Sequence, residues 1–119
     1  LEFDKLIFYA DASSNFDAIF RGLSPDMEIM DRRGGLYEAA PRGFSKATGI
    51  DVVLQRFGMS REDAYVFGDS SNDLSMFEAV SHAVAMGKHD PVLDPHTEFV
   101  TKTVEEDGLE FALLHYGLI

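Results

Sequence analysis

The run Gly68-Asp69-Ser70-Ser71-Asn72-Asp73 gathers two carboxylates, an amide and two hydroxyls within six residues. Such a set suits a hard divalent cation such as Mg2+, which takes oxygen ligands and keeps part of its water shell. The run follows the apolar stretch Ala64-Tyr65-Val66-Phe67, which reads as a strand of the kind a parallel sheet buries on both faces. Ligands of open parallel sheets collect beyond the carboxyl ends of their strands, and Asp69 stands there. A helix starting at once would set Asp69 and Asp73 on one face with Asn72 beside them. Its first N–H groups would face phosphate oxygens, with Ser70 close by. The alternative is a plain helix cap, for which Ser, Asn and Asp are the favoured residues.

Lys46 is the second candidate. It follows Ser45 at the start of a helical pattern, where the helix dipole disfavours a cation. A lysine held against that gradient answers a negative charge elsewhere, a phosphate or a carboxylate; a surface lysine in a frayed turn is the alternative. His82, His89, His96 and His115 show no metal-ligand spacing and read as surface or strand-edge residues. Asp90 and Asp94 repeat the four-residue spacing, but each precedes a proline and no apolar strand leads into them, so they read as loop residues. Glu38 reads as a cross-strand partner. Met86-Gly87-Lys88 follows a strand and could bring Gly87 near the site.

These residues need elements to position them. Lys5–Tyr9 reads as a strand, and Phe16, Ile19, Phe20 and Leu23 recur at helical spacing behind a cap at Ser14 or Asn15. Met27–Arg33, the Gly34-Gly35 turn and Leu36–Ala39 read as a β-hairpin. After Pro41-Arg42-Gly43 the rhythm changes. Ala47, Ile50, Val53, Leu54 and Phe57 form one helical face that Gly58 ends, and Ser60 caps a short turn. Then come the strand at 64–67, a helix over Asp69–Val80, strands at His82–Met86 and Phe99–Thr101, and a helix over Gly108–Tyr116. The expected organisation is an α+β piece over residues 1–40 and an α/β layer over 41–119.

Bulk composition narrows the classes. A formal charge of −11 over 119 residues opposes binding to nucleic acid or to an anionic membrane. There is no cysteine, which removes a disulfide framework, a thiolate zinc site and a cysteine nucleophile, and is compatible with a cytoplasmic setting. No apolar run approaches the roughly 20 residues of a membrane helix. The chain opens on Leu1-Glu2-Phe3 without an initiator Met, a hint of a fragment.

Ser45-Lys46-Ala47-Thr48-Gly49-Ile50, then Gly68-Asp69-Ser70-Ser71-Asn72-Asp73, then Ala85-Met86-Gly87 resembles the C-terminal part of the haloacid dehalogenase-like hydrolases. Within them it is similar to the Cof-type sugar phosphatases with an α/β cap, subclass IIB. Glu98-Phe99-Val100-Thr101 and Glu105-Glu106-Asp107-Gly108-Leu109 resemble that branch's closing strand and helix. The resemblance implies an α/β fold: the C-terminal part of a Rossmann-like parallel-sheet core, preceded by the last strand, helix and hairpin of an α+β cap. It implies that Lys46 neutralises the transferring phosphoryl group and that Asp69 ligates Mg2+. It also implies that Asp73 supports the metal or the lysine, and that Asn72 helps fix phosphate. The implied substrate is a small phosphorylated metabolite, such as a sugar phosphate.

The chain departs from that family at one point. The family's nucleophile is the first Asp of an Asp-x-Asp motif, and no two aspartates of this chain stand two positions apart. The expectation is therefore a fragment without turnover, whose unpaired sheet edge invites self-association. A phosphohexomutase of the same cap type and a non-catalytic acidic module that binds a cation or a partner are the other readings.

Overall fold

The computed structural model describes residues 4–119. The chain divides into two compact units, one ending at Phe44 and the other spanning Ser45–Ile119.

The first unit is a three-stranded antiparallel sheet of β1 (Leu6–Tyr9), β2 (Met27–Asp31) and β3 (Leu36–Pro41) in the order β1-β3-β2, with helix α1 (Phe16–Leu23). The side chain of Asn15 accepts the Ala18 N–H and caps α1, satisfying one of the amides a helix start leaves without a partner. Leu6 and Phe8 face Ala39 and Tyr37 across the β1–β3 ladder. The Phe8 and Tyr37 rings stack with centroids 5.5 Å apart, and Phe16 of α1 lies 4.5 Å from Tyr37. On the other face Glu38 pairs with Arg32 at 3.3 Å and Lys5 at 3.4 Å, the cross-strand role its position suggested.

The second unit carries α2 (Lys46–Phe57), β4 (Tyr65–Gly68), α3 (Leu74–Ala79), β5 (His82–Ala85), β6 (Phe99–Val100) and α4 (Gly108–His115). The three strands are parallel in the order β4-β5-β6, so the α/β expectation holds. The placement of burial differs from the sequence reading. Ala83, Val84 and Ala85 of β5 are inaccessible, whereas Tyr65 and Phe67 of β4 are only half-buried. The cause is the strand order: β5 is central, and β4 is an edge strand among the described residues. Val66, Phe77, Val80, Ala83, Ala85 and Leu93 form the core, with Ile50, Leu74 and Met76 packed against it. At roughly 1.5–3 kcal/mol for each large apolar side chain buried, this cluster outweighs any single polar contact in holding α3 to the sheet.

The segment expected to be one helix over Asp69–Val80 is a 3-10 turn at Ser71–Asp73 followed by the short α3. The helix therefore does not begin at Asp69. At the other end of the sheet, α4 is closed down by aromatic contacts. Tyr65 stacks on His82 with centroids 4.5 Å apart, Phe99 stacks on His115 at 4.3 Å, and the Tyr116 hydroxyl donates to Glu98 at 2.9 Å. Burial, helped by Glu98, pushes the Tyr116 hydroxyl pKa up to about 12. These ring contacts account for His82 and His115 as structural residues.

Candidate active site

The capping box at Ser45 starts α2. The Ser45 hydroxyl oxygen accepts the Thr48 N–H at 3.2 Å, and the Thr48 hydroxyl oxygen accepts the Ser45 N–H at 2.9 Å. This reciprocal pair fixes the first turn and with it the base of the Lys46 side chain. The Lys46 Nζ reaches the Asp73 Oδ1, 27 positions along the chain. The charge that holds Lys46 against the helix dipole is thus a carboxylate. Asp73 is 4 % exposed, while the lysine side chain is half-exposed.

Asp73 does more than answer the lysine. Its Oδ2 accepts the backbone N–H of Asp69 at 3.0 Å and of Ser70 at 3.1 Å, with the Ser70 hydroxyl at 3.5 Å. The carboxylate folds back over the turn that leaves β4, instead of projecting from a helix face shared with Asp69. The same two amides, expected from the sequence to face a phosphate, are thereby engaged. Burial pushes the Asp73 pKa up, but the Lys46 ammonium and the Ser70 and Asp69 amides outweigh it and hold the carboxyl below its ordinary range. The stabilisation is therefore present above the unfolded pKa near 4 and is lost as the pH falls through the depressed folded value.

Gly68 makes this arrangement possible. A Cβ built on it would lie 2.7 Å from the Asp73 Cβ and 2.8 Å from its Oδ2, so the carboxylate packs directly on bare backbone.

The Asp69 carboxylate takes no part in these hydrogen bonds. Asp69 is exposed, and its carboxylate has no hydrogen-bond partner among the described residues. It borders a cleft of about 580 Å3 whose lining includes Phe67, Gly68, Met86 and Glu110. Asn72 is also exposed, and its Oδ1 accepts the Ser70 hydroxyl. The structure thus brings Lys46, Asp69, Ser70, Asn72 and Asp73 together around the carboxyl end of β4. Among the described residues there is no cluster of three or more His, Cys, Asp or Glu side chains able to cage a metal. One exposed carboxylate still fits Mg2+, which is commonly held by one or two carboxylates plus waters and substrate phosphate.

One residue near the site was misjudged from the sequence. His89, read as solvent-facing, has a side chain only 14 % exposed. Its Nδ1 lies 2.6 Å from the Met86 carbonyl oxygen and its Nε2 lies 2.9 Å from Asp94 Oδ1. The signal was the Asp90-Pro91 pair, which starts a 3-10 turn over Pro91–His96 and so brings Asp94 back toward the ring.

A family model described as haloacid dehalogenase-like hydrolase matches residues 2–113. The putative phosphatase YkrA of Bacillus subtilis is 38% identical over 117 residues, covering 98% of this chain and 44% of that protein. The 5-amino-6-(5-phospho-D-ribitylamino)uracil phosphatase YwtE of the same organism is 34% identical over 64% of this chain and 27% of its own length. Among solved structures, the subclass IIB sugar phosphatase BT4131 superposes with a TM-score of 0.78 at 27% identity, covering 98% of this chain and 44% of that one. A haloacid dehalogenase-like hydrolase from Bacteroides thetaiotaomicron gives 0.82 at 28%, covering 95% and 44%. The chain thus spans less than half the length of these proteins. With the motif order, the parallel sheet and the family match in agreement, the chain belongs to the haloacid dehalogenase-like hydrolases and is similar to a sugar phosphatase of their subclass IIB.

Proposed function

We propose that the whole protein is a Mg2+-dependent phosphatase acting on a small phosphorylated metabolite of the sugar-phosphate class. The observation that carries this is the Lys46–Asp73 pair bonded to the Asp69 backbone at the carboxyl end of β4, where the Asp69 side chain is exposed. Lys46 meets negative charge on the phosphoryl group, and Asp73 keeps the ammonium aimed. Asp69 would hold Mg2+, which when bound would supply electrostatic stabilisation of the phosphoryl oxygens. Asn72 and Ser70 lie where they would orient phosphate or its neighbours. The substrate class rests on relatives named as phosphatases of a phosphoribityl compound and of sugars.

The attacking carboxylate comes from outside these 119 residues, since they contain no Asp-x-Asp. A strand carrying it would pair with the outer edge of β4, beside an apolar cleft lined by Ile50, Val53, Ala64, Val66 and Met76. The 119 residues alone would then release no phosphate, and a cytoplasmic setting belongs to the same reading. A mutase would need the same lysine and carboxylates, but the relatives above are named as phosphatases.

Two measurements follow. In the whole protein, phosphate release from a panel of sugar phosphates should stop in EDTA and return with added Mg2+; full activity in EDTA would refute the metal assignment, and no release from any phosphomonoester would refute the activity. The 119-residue chain should show a molar mass that rises with concentration in light-scattering chromatography, because β4 offers an edge to which no strand among the described residues pairs. A constant monomer mass would remove the self-association proposal.

A further inference from the structure

We propose that His89 is a positioning residue for Asp69, acting through the loop that joins β5 to the 3-10 turn at Pro91–His96. The proposal rests on the reading of Asp69 as the metal ligand.

Asp69 lies outside any strand or helix, so its backbone is set by individual hydrogen bonds. Its N–H donates to Asp73 Oδ2, as described. Its carbonyl oxygen accepts the Asp90 N–H at 2.8 Å, and the carbonyl oxygen before it, on Gly68, accepts the Met86 N–H at 3.0 Å. Two consecutive carbonyls at the exit of β4 are therefore held by one loop, at residues 86 and 90. The spacing between those two donors decides where the Asp69 peptide, and so its carboxylate, can sit.

His89 fixes that spacing. Its ring spans from the Met86 carbonyl to the Asp94 carboxylate and so ties the start of the loop to the turn on the far side of Asp90. Both ring nitrogens face oxygen acceptors; the imidazolium can donate to both, the neutral ring to only one. Asp94 foremost, with the Met86 carbonyl, raises the His89 pKa against the opposing effect of burial.

The turn itself does not depend on the ring. Leu93 is fully buried, Asp90 Oδ1 accepts the Val92 N–H at 3.1 Å, and the Thr97 hydroxyl donates to the Leu93 carbonyl at 2.9 Å. Removing the imidazole should leave the turn folded and loosen its registration against Asp69. That separates a positioning role from a merely structural one.

The test uses the whole protein and three variants, His89→Ala, His89→Gln and Asp69→Asn. In metal-free His89→Ala, hydrogen exchange at the Asp90 amide should quicken about tenfold while core amides such as Val84 keep their protection. Calorimetric titration with MgCl2 should give an affinity about tenfold weaker, the scale seen when a residue that orients a ligand is lost. The KM for a phosphomonoester should move less than the Mg2+ affinity, and His89→Gln, which keeps one donor, should recover part of the loss. Unchanged Asp90 exchange and Mg2+ affinity in His89→Ala would overturn the proposal. A uniform rise in exchange across the core would also overturn it, since that marks a structural role. If Asp69→Asn binds Mg2+ as tightly as the parent, the metal reading fails, and the Asp90 exchange still reports on His89 independently.

Discussion

Replacing Lys46 with methionine should lower phosphate release by the whole protein on the order of 1,000-fold, since removing one preorganised group aimed at transition-state charge costs about that much. In free-energy terms this is about 4 kcal/mol. Met keeps most of the stem of the lysine, so the packing at the start of α2 is disturbed little and the missing charge dominates. The variant has a second consequence. Asp73 loses its salt-bridge partner but keeps the Asp69 and Ser70 amides, so its carboxyl pKa should rise and stability should fall by about 1–2 kcal/mol, the cost of one charged hydrogen bond at a buried acceptor. Asp73→Asn should also lose activity, because an amide cannot hold the ammonium in the same way. The two residues form one unit, and the double variant Lys46→Met/Asp73→Asn should be much less impaired than the product of the single effects. Steady-state phosphate assays on the four proteins, with urea unfolding of each, measure both consequences. A loss of less than tenfold for Lys46→Met would remove the lysine from the chemistry.

The sequence revealed which residues gather, and much less of how they are connected. Lys46 was conspicuous because a cation at a helix start needs a reason, but its partner lay 27 positions away, beyond any local pattern. The four-residue spacing of Asp69 and Asp73 admits two geometries. One is a shared helix face; the other is a carboxylate folded back onto the amides of the turn. The second prevails because the amides of Asp69 and Ser70, at the exit of β4, would otherwise lack an acceptor, and the 3-10 turn at Ser71–Asp73 brings Asp73 within reach. Residues 64–67 and 82–86 both read as apolar strands, yet only pairing order distinguishes the central β5 from the outer β4. His89 was misjudged for a similar reason. One of its partners is a backbone carbonyl, which leaves no trace in side-chain spacing, and the other is an aspartate that the Pro91 turn brings back. The motif residues were legible as chemistry because their types are restrictive; the loop that orients them was not, because it works through backbone groups any residue could supply.

Gly68→Ala is expected to damage fold and site together. The added Cβ would stand 2.7 Å from the Asp73 Cβ and 2.8 Å from its Cγ and Oδ2, well inside van der Waals contact. A flexible side chain could swing aside, but Asp73 cannot without cost. It is buried, and its oxygens are bonded to Lys46 and to the amides of Asp69 and Ser70. Either β4 shifts away from the turn or the carboxylate abandons those partners. Overpacking of this kind costs about 1–3 kcal/mol, and each amide left without an acceptor adds roughly 1 kcal/mol more, so a loss of about 2–4 kcal/mol is expected. Gly22→Ala supplies the control. Gly22 lies within α1, and a Cβ there meets nothing within 4 Å, so it should stabilise the helix by about 0.5–1 kcal/mol through propensity alone. The two changes add the same methyl group and differ only in what it touches. Urea unfolding of both variants should therefore move the midpoints in opposite directions, with phosphate release falling sharply in Gly68→Ala alone. Equal midpoints would show that the turn after β4 yields to a methyl group, and the rigid placement of Asp69 by Asp73 would then fail with it.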